Sequence, residues 1–395
     1  MAKNKKTLYT VLLRSLPFLF TLSLLFGLLL ASMLPRASAD FSTETEDALA
    51  EYTLSLSDHD ITSNCSSVLI SGSTSTITEA GSYTVTGSLS NGQIRVDTDK
   101  ESKVRLILDG VSITNANSAA IYVISADKVV IMLKDGTSSS VTTSGNFVQT
   151  DDNNVDAVVF SKDDVTISGN GSLTVNSLKG HGIVSKDDLK IKSGTISVTA
   201  ARKALSANDT LSVEAGTITL NAGTEGLEAS HVLIDGGTVS VQAGDDGVNA
   251  TWLTDSVTPV VEINGGQLTI VMGAGDTDAI DSNGNLIITG GNIDITGSSG
   301  FDYDGTATFT GGTITLNGQQ IDSIPNQMMG GFGGMGRGGQ QGAGGFGRDY
   351  SDDGIGIQTP SGGFSGMQSG DEGFHGGGFG GMGHGRQNDG SWNQG

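Results

Sequence analysis

The side chains best placed for chemistry in this chain are acidic: Glu225, Glu228, Asp245, Asp246, Asp276, Asp278, Asp281, Asp302 and Asp304, with Asn249 among them. They sit in four short segments, EGLEAS (225–230), DDGVNA (245–250), GDTDAIDSNG (275–284) and GFDYDGTA (300–307). Carboxylates stacked at this spacing repel one another unless a counter-charge neutralises them. Calcium is suited to the task, since it takes about six to eight oxygens at ~2.3–2.6 Å and can bridge neighbouring carboxylates. Without an ordered ion, the same residues form a solvated acidic edge. Zinc is not indicated, because His181 and His231 stand apart from each other and from Cys65.

Basic residues precede the acidic ones. Lys179, Arg202 and Lys203 occupy the same phase of the pattern one or two units earlier, where they can contact an anionic substrate or balance the acids. If the first role extended to catalysis, the ladder would resemble a polysaccharide lyase site. Such a site needs a cation to acidify a uronate α-proton and a base, Arg202 or Lys203, to remove it. A weaker group, Asp151, Asp152 and Asp156, offers a further candidate ligand loop.

A repeat must position these residues. Small residues ending a short apolar element recur at Ser161, Ser185, Ala207, Ala229, Ala250 and Ser282, at spacings of 24, 22, 22, 21 and 32. The long final spacing contains an insertion, Thr251 to Thr258. Each unit then runs through an alternating strand (Val165-Thr166-Ile167, Leu189-Lys190-Ile191), a glycine turn (Gly236-Gly237, Gly265-Gly266, Gly290-Gly291) and a second alternating strand. A third short strand leads into the next unit. Such a unit cannot bury its apolar face alone, but stacked units pair equivalent strands in parallel and form a continuous core. The expected fold is all-β, a right-handed parallel β-helix with coils of about 22 residues. A β-sandwich would leave the fixed phase of the glycine turns without a reason.

The expected organisation is a signal peptide over 1–39, an N-terminal leader or cap over 40–60, the β-helix over 61–329 and a Gly-rich disordered tail over 330–395. The signal rests on basic Lys3, Lys5, Lys6 and Arg14, an apolar stretch from Ser15 to Leu34, and Ala37-Ser38-Ala39. An uncleaved anchor is the alternative; the mature chain is not expected to span a membrane. Beyond residue 39 the chain carries 16 basic against 43 acidic residues. That balance argues against nucleic acid as a partner and suits divalent cations. The expected location is secreted or cell-surface. The single cysteine, Cys65, excludes an intrachain disulfide and is expected to be buried and inert.

In their order, the four acidic segments, the GG-T-[IV] turns and SIPNQMMGG (323–331) resemble the bacterial exported carbohydrate-binding β-helix family first recognised in cellulolytic clostridia, over roughly residues 60–330. The resemblance implies a calcium-binding parallel β-helix, related in shape to pectate lyases, that binds acidic plant polysaccharide such as polygalacturonate and also cellulose. It carries the calcium-ligand role onto the acidic positions named above, while Lys179, Arg202 and Lys203 lie outside its motifs. Against stacking on cellulose, Trp252 is the one tryptophan within the repeats, and no periodic aromatic platform accompanies it.

Overall fold

The computed structural model describes residues 49–273 and 277–325. Among them there is no helix, and so none long and apolar enough to cross a membrane. The signal, the Gly-rich tail and Asp276 lie outside the described residues.

Each coil contributes one strand to each of three faces. On the first face Val165, Leu189, Leu211, Val232, Val261 and Leu286 stand in parallel register. The second face aligns Val175, Val198, Leu220, Val241, Ile270 and Ile295. The third aligns Val159, Ile183, Leu205, Leu227, Val248, Ile280 and Phe301. All of these side chains are buried in one core. The period-two alternation explains the arrangement: every second residue turns inward, and stacking places it on its counterpart about 4.8 Å away. The parallel β-helix follows from these registers.

The glycine turns link the first face to the second. Gly237 and Gly266 both adopt φ of +81°, a conformation that costs an L side chain free energy. The preceding glycine is required for a different reason. A Cβ on Gly265 would lie 2.3 Å from the Asp235 carbonyl oxygen of the coil before.

The stack begins within the expected cap, ahead of residue 61. There Glu51–Leu56 is a strand that pairs in parallel with Gly81–Leu89. Its alternation buries Leu54 and Leu56 in the core, which a strand of the first face achieves and an isolated helical turn would not. Antiparallel hairpins occur near the two ends of the described stack, Val68–Ser71 with Thr74–Ile77 and Thr313–Leu316 with Gln319–Ile321. Cys65 is buried, its sulfur 3.8 Å from the Tyr83 hydroxyl.

Candidate functional site

Register places one outward column along the third face: Arg95, Tyr122, Phe160, Val184, Ser206, Glu228, Asn249, Asp281 and Asp302. Its chemistry changes along the stack, from cationic and aromatic through aliphatic to acidic.

At the first end Arg95 lies 5.2 Å from the Tyr122 ring centroid, and Tyr122 packs edge-on against Phe160. The chain between the second and third faces covers these rings. Phe147 and Val155 pack against them, and the Tyr122 hydroxyl donates to Asp151 Oδ2 at 2.7 Å. Asp151, offered by the sequence as a ligand, therefore fastens this covering segment. Burial raises the Tyr122 hydroxyl to about 12, so it remains a donor at neutral pH.

In the middle of the column sits a polar junction. His181 is 6% exposed and its Nδ1 accepts the backbone N–H of Lys203 at 3.2 Å. The imidazole hydrogen therefore belongs on Nε2, which faces Asp156 Oδ2 at 3.5 Å. Burial, then the charges of Lys203, Arg202 and Lys186, depress His181 to about 3. Burial also raises Asp156, against the pull of the same cations. At neutral pH the contact is not an ion pair, because the imidazole is neutral.

Beside it Lys203 Nζ lies 2.7 Å from both carboxylate oxygens of Glu228, and Ser206 Oγ donates to the same carboxylate at 3.0 Å. This corrects two expectations. Glu228 is only 3% exposed, and its charge is matched by an ammonium, which leaves no net charge for a cation to answer. Lys203 is likewise not a free anion-binding group or base. Burial alone would lower its affinity for a proton, but Glu228 and Glu225 outweigh it and raise the pKa. Arg202 and Lys179 are exposed on the same side.

The acidic end follows. Asp246 Oδ2 accepts from Asn249 Nδ2 at 3.0 Å, and Asp246 Oδ1 from the Asp278 backbone N–H at 3.3 Å. Asp278 accepts the Ser299 hydroxyl of the next coil. Burial, then Asp281, Asp245 and Asp278, push Asp246 up to about 8. Burial, then Asp302, Asp278 and Asp304, push Asp281 up to about 7. Glu225 Oε2, Asn249 Oδ1 and Asp302 Oδ1 are buried acceptors without hydrogen-bond partners, as are the hydroxyls of Thr224 and Thr277.

The last coil departs from the expected alignment. In sequence Asp302 and Asp304 resemble the pair Asp245 and Asp246, but Asp281 pairs with Asp302 and Asp278 with Ser299. Asp302 thus belongs to the outward column, and Asp304 follows the strand rather than preceding it.

The donor set suits a hard cation, being entirely oxygen and including the unpartnered acceptors Glu225 Oε2, Asn249 Oδ1 and Asp302 Oδ1. Its convergence is incomplete. Among the described residues no group of three or more His, Cys, Asp or Glu side chains is arranged to hold a metal. An ion here would draw on Asn249 and neighbouring hydroxyls or carbonyls, or pull the splayed carboxylates together. The sequence missed Thr224, Thr277 and Ser299. Thr224 and Thr277 each stand immediately before an acidic position, whereas Ser299 is recognisable only once the register is known.

A family model for carbohydrate-binding domain-containing proteins matches residues 71–323. A relative from Acetivibrio thermocellus, described in the same words, is 48% identical over 126 residues, covering 31% of this chain. The match spans only 44% of that relative's length. A polysaccharide lyase-like protein from C. thermocellum, solved as a gadolinium derivative, superposes with a TM-score of 0.49 at 31% identity, over 68% of this chain and 96% of its own. Since the family match takes in most of the stacked coils and the whole acidic end of the column, this chain belongs to the carbohydrate-binding domain-containing protein family.

Proposed function

We propose that this chain is an exported, non-catalytic polysaccharide-binding protein whose acidic column takes calcium and, with it, an acidic glycan of the polygalacturonate type. The observation that carries the reading is the stack Asn249, Asp281 and Asp302, flanked by Asp246 and Asp278, in which Asn249 Oδ1 and Asp302 Oδ1 are buried without hydrogen-bond partners. Asp245, Glu225 and Asp304 border it, while the charge of Glu228 is answered by Lys203. Bound calcium would supply the positive charge that lets uronate carboxylates approach protein carboxylates. Cellulose is a further ligand to be tested beside polygalacturonate.

The residues favour binding over elimination. A lyase needs a base whose lone pair is available beside the cation. Lys203 is protonated and held by Glu228, and His181 Nδ1 is committed to a backbone amide.

Retention on polygalacturonate with and without chelator tests the proposal, with ultraviolet absorbance monitoring unsaturated uronate products. The expected result is calcium-dependent retention without product. Product release would make the chain a lyase. Calcium binding with no retention on polygalacturonate or cellulose would make it a stiffened structural protein.

A further inference from the structure

The insertion at the third-to-first corner gives the acidic column a second kind of neighbour. Nine residues, 251–259, separate Val248–Ala250 from Val260–Ile263, whereas one to three do so in the other coils from Ser185 onward. The loop is anchored at its start. Thr251 N–H donates to the Ala229 carbonyl at 3.0 Å, Thr251 Oγ1 to Asn283 Oδ1 at 2.6 Å, and Leu253 N–H to Ser230 Oγ at 3.3 Å. These bonds tie it to the coils before and after its own.

Leu253 and Val257 are half-buried and Pro259 is buried, while Trp252, between the anchored Thr251 and Leu253, is 58% exposed. An anchored backbone thus holds an indole in solvent. Packing does not explain it, because the loop's other apolar residues are the ones turned inward. Trp252 is three residues from Asn249 in the column, so their Cα atoms are at most about 11 Å apart.

We propose that Trp252 is a sugar-stacking subsite flanking the acidic column, its indole covering the C–H face of a pyranose in the uronate chain whose carboxylates the column engages. A uronate ring presents both groups: a charged edge, and an apolar face that matches an indole plane. A carboxylate-cation site alone would hold any polyanion. The aromatic plane would select one built of sugar rings, and its fixed offset from the column would set which residue of the chain is read. The inference rests on the acidic-glycan reading above and adds a recognition element that the charge ladder lacks.

The test uses the full chain carrying Trp252→Ala or Trp252→Phe, with calcium-loaded oligogalacturonide affinity measured by calorimetry. Trp252→Ala should weaken binding about tenfold and Trp252→Phe by no more than about threefold. The calcium-induced rise in melting temperature should be unchanged in both. The chain has two tryptophans, Trp252 and Trp392; in a Trp392→Phe background, oligogalacturonide should shift the remaining emission. Wild-type affinity in Trp252→Ala would overturn the stacking role while leaving the acidic-glycan reading intact. Failure of the wild-type chain to bind would overturn both. A lost calcium response in Trp252→Ala would show that the residue supports the fold, and would also overturn the proposal.

Discussion

Asp246 and Asp281 hold protons at pH values where an exposed aspartate has lost them. Their native values of about 8 and about 7 lie above the ordinary value of about 3.9. Between those limits the folded chain binds more protons than the unfolded one, so stability falls as pH rises. In chelator the melting temperature should therefore decline from pH 5 to pH 8. Asp246→Asn and Asp281→Asn should flatten that decline and raise the pH 8 melting temperature, because each removes a repelled charge. In calcium the order should reverse, with the wild type gaining stability at pH 8 and the variants gaining less. A calcium response equal to wild type in both variants would remove them from the site. The Lys203–Glu228 pair behaves differently, because both charges are already matched. Lys203→Met leaves a buried carboxylate unpaired and should cost about 3 kcal/mol in denaturant unfolding. Lys203→Met with Glu228→Gln should recover most of it.

At the scale of the elements, the turn glycines make a sharper test of register than the strands do. Gly265→Ala puts a Cβ where the Asp235 carbonyl already is and should lower stability by more than about 1 kcal/mol. Gly273→Ala meets nothing within 4 Å and should stay within about 0.5 kcal/mol of wild type; equal effects would mean the coils are not stacked this closely. These turns were legible in sequence because the constraint is local and repeats at one phase. The inward columns were legible for the same reason: alternation and a spacing near 22 residues name Val198 over Leu220 without a structure. The last coil misled because Asp302-Tyr303-Asp304 resembles the corner pair Asp245-Asp246, and the true equivalent of Asp278 is an uncharged serine, Ser299. A pattern of charges imitated a register that only strand pairing decides. The Lys203–Glu228 pair was hidden differently. The two lie 25 residues apart, and their meeting requires Ser206 to sit under Glu228 with the lysine reaching across from the corner. Glu51–Leu56 was obscured because one alternating strand, ahead of the recognisable repeats, carries no repeat signal.

Across the whole solenoid each coil contacts chiefly its neighbours, so stability is close to a sum of coil and interface terms and need not be uniform. The chemistry is equally uneven. The aromatic end of the third face closes on itself beneath Phe147 and Val155, while the acidic end from Glu225 to Asp304 retains unpartnered acceptors and raised carboxylates. A ligand that binds only the native state stabilises what must unfold to release it. Calcium should therefore protect one part of the molecule rather than all of it. In hydrogen exchange at pH 8, adding calcium should slow amides of Leu227–Ala229, Val248–Ala250, Asp278–Ser282 and Ser299–Tyr303. Amides of Gln93–Asp97 and Ile121–Ser125 should keep their rates, because opening there can occur without disturbing the acidic coils. Protection spread evenly over every coil would instead mean that the stack opens as one cooperative unit. Protection centred on Gln93–Asp97 and Ile121–Ser125 would place the cation at the opposite end of the third face. Only the first pattern fits a column in which repulsion is confined to its acidic end.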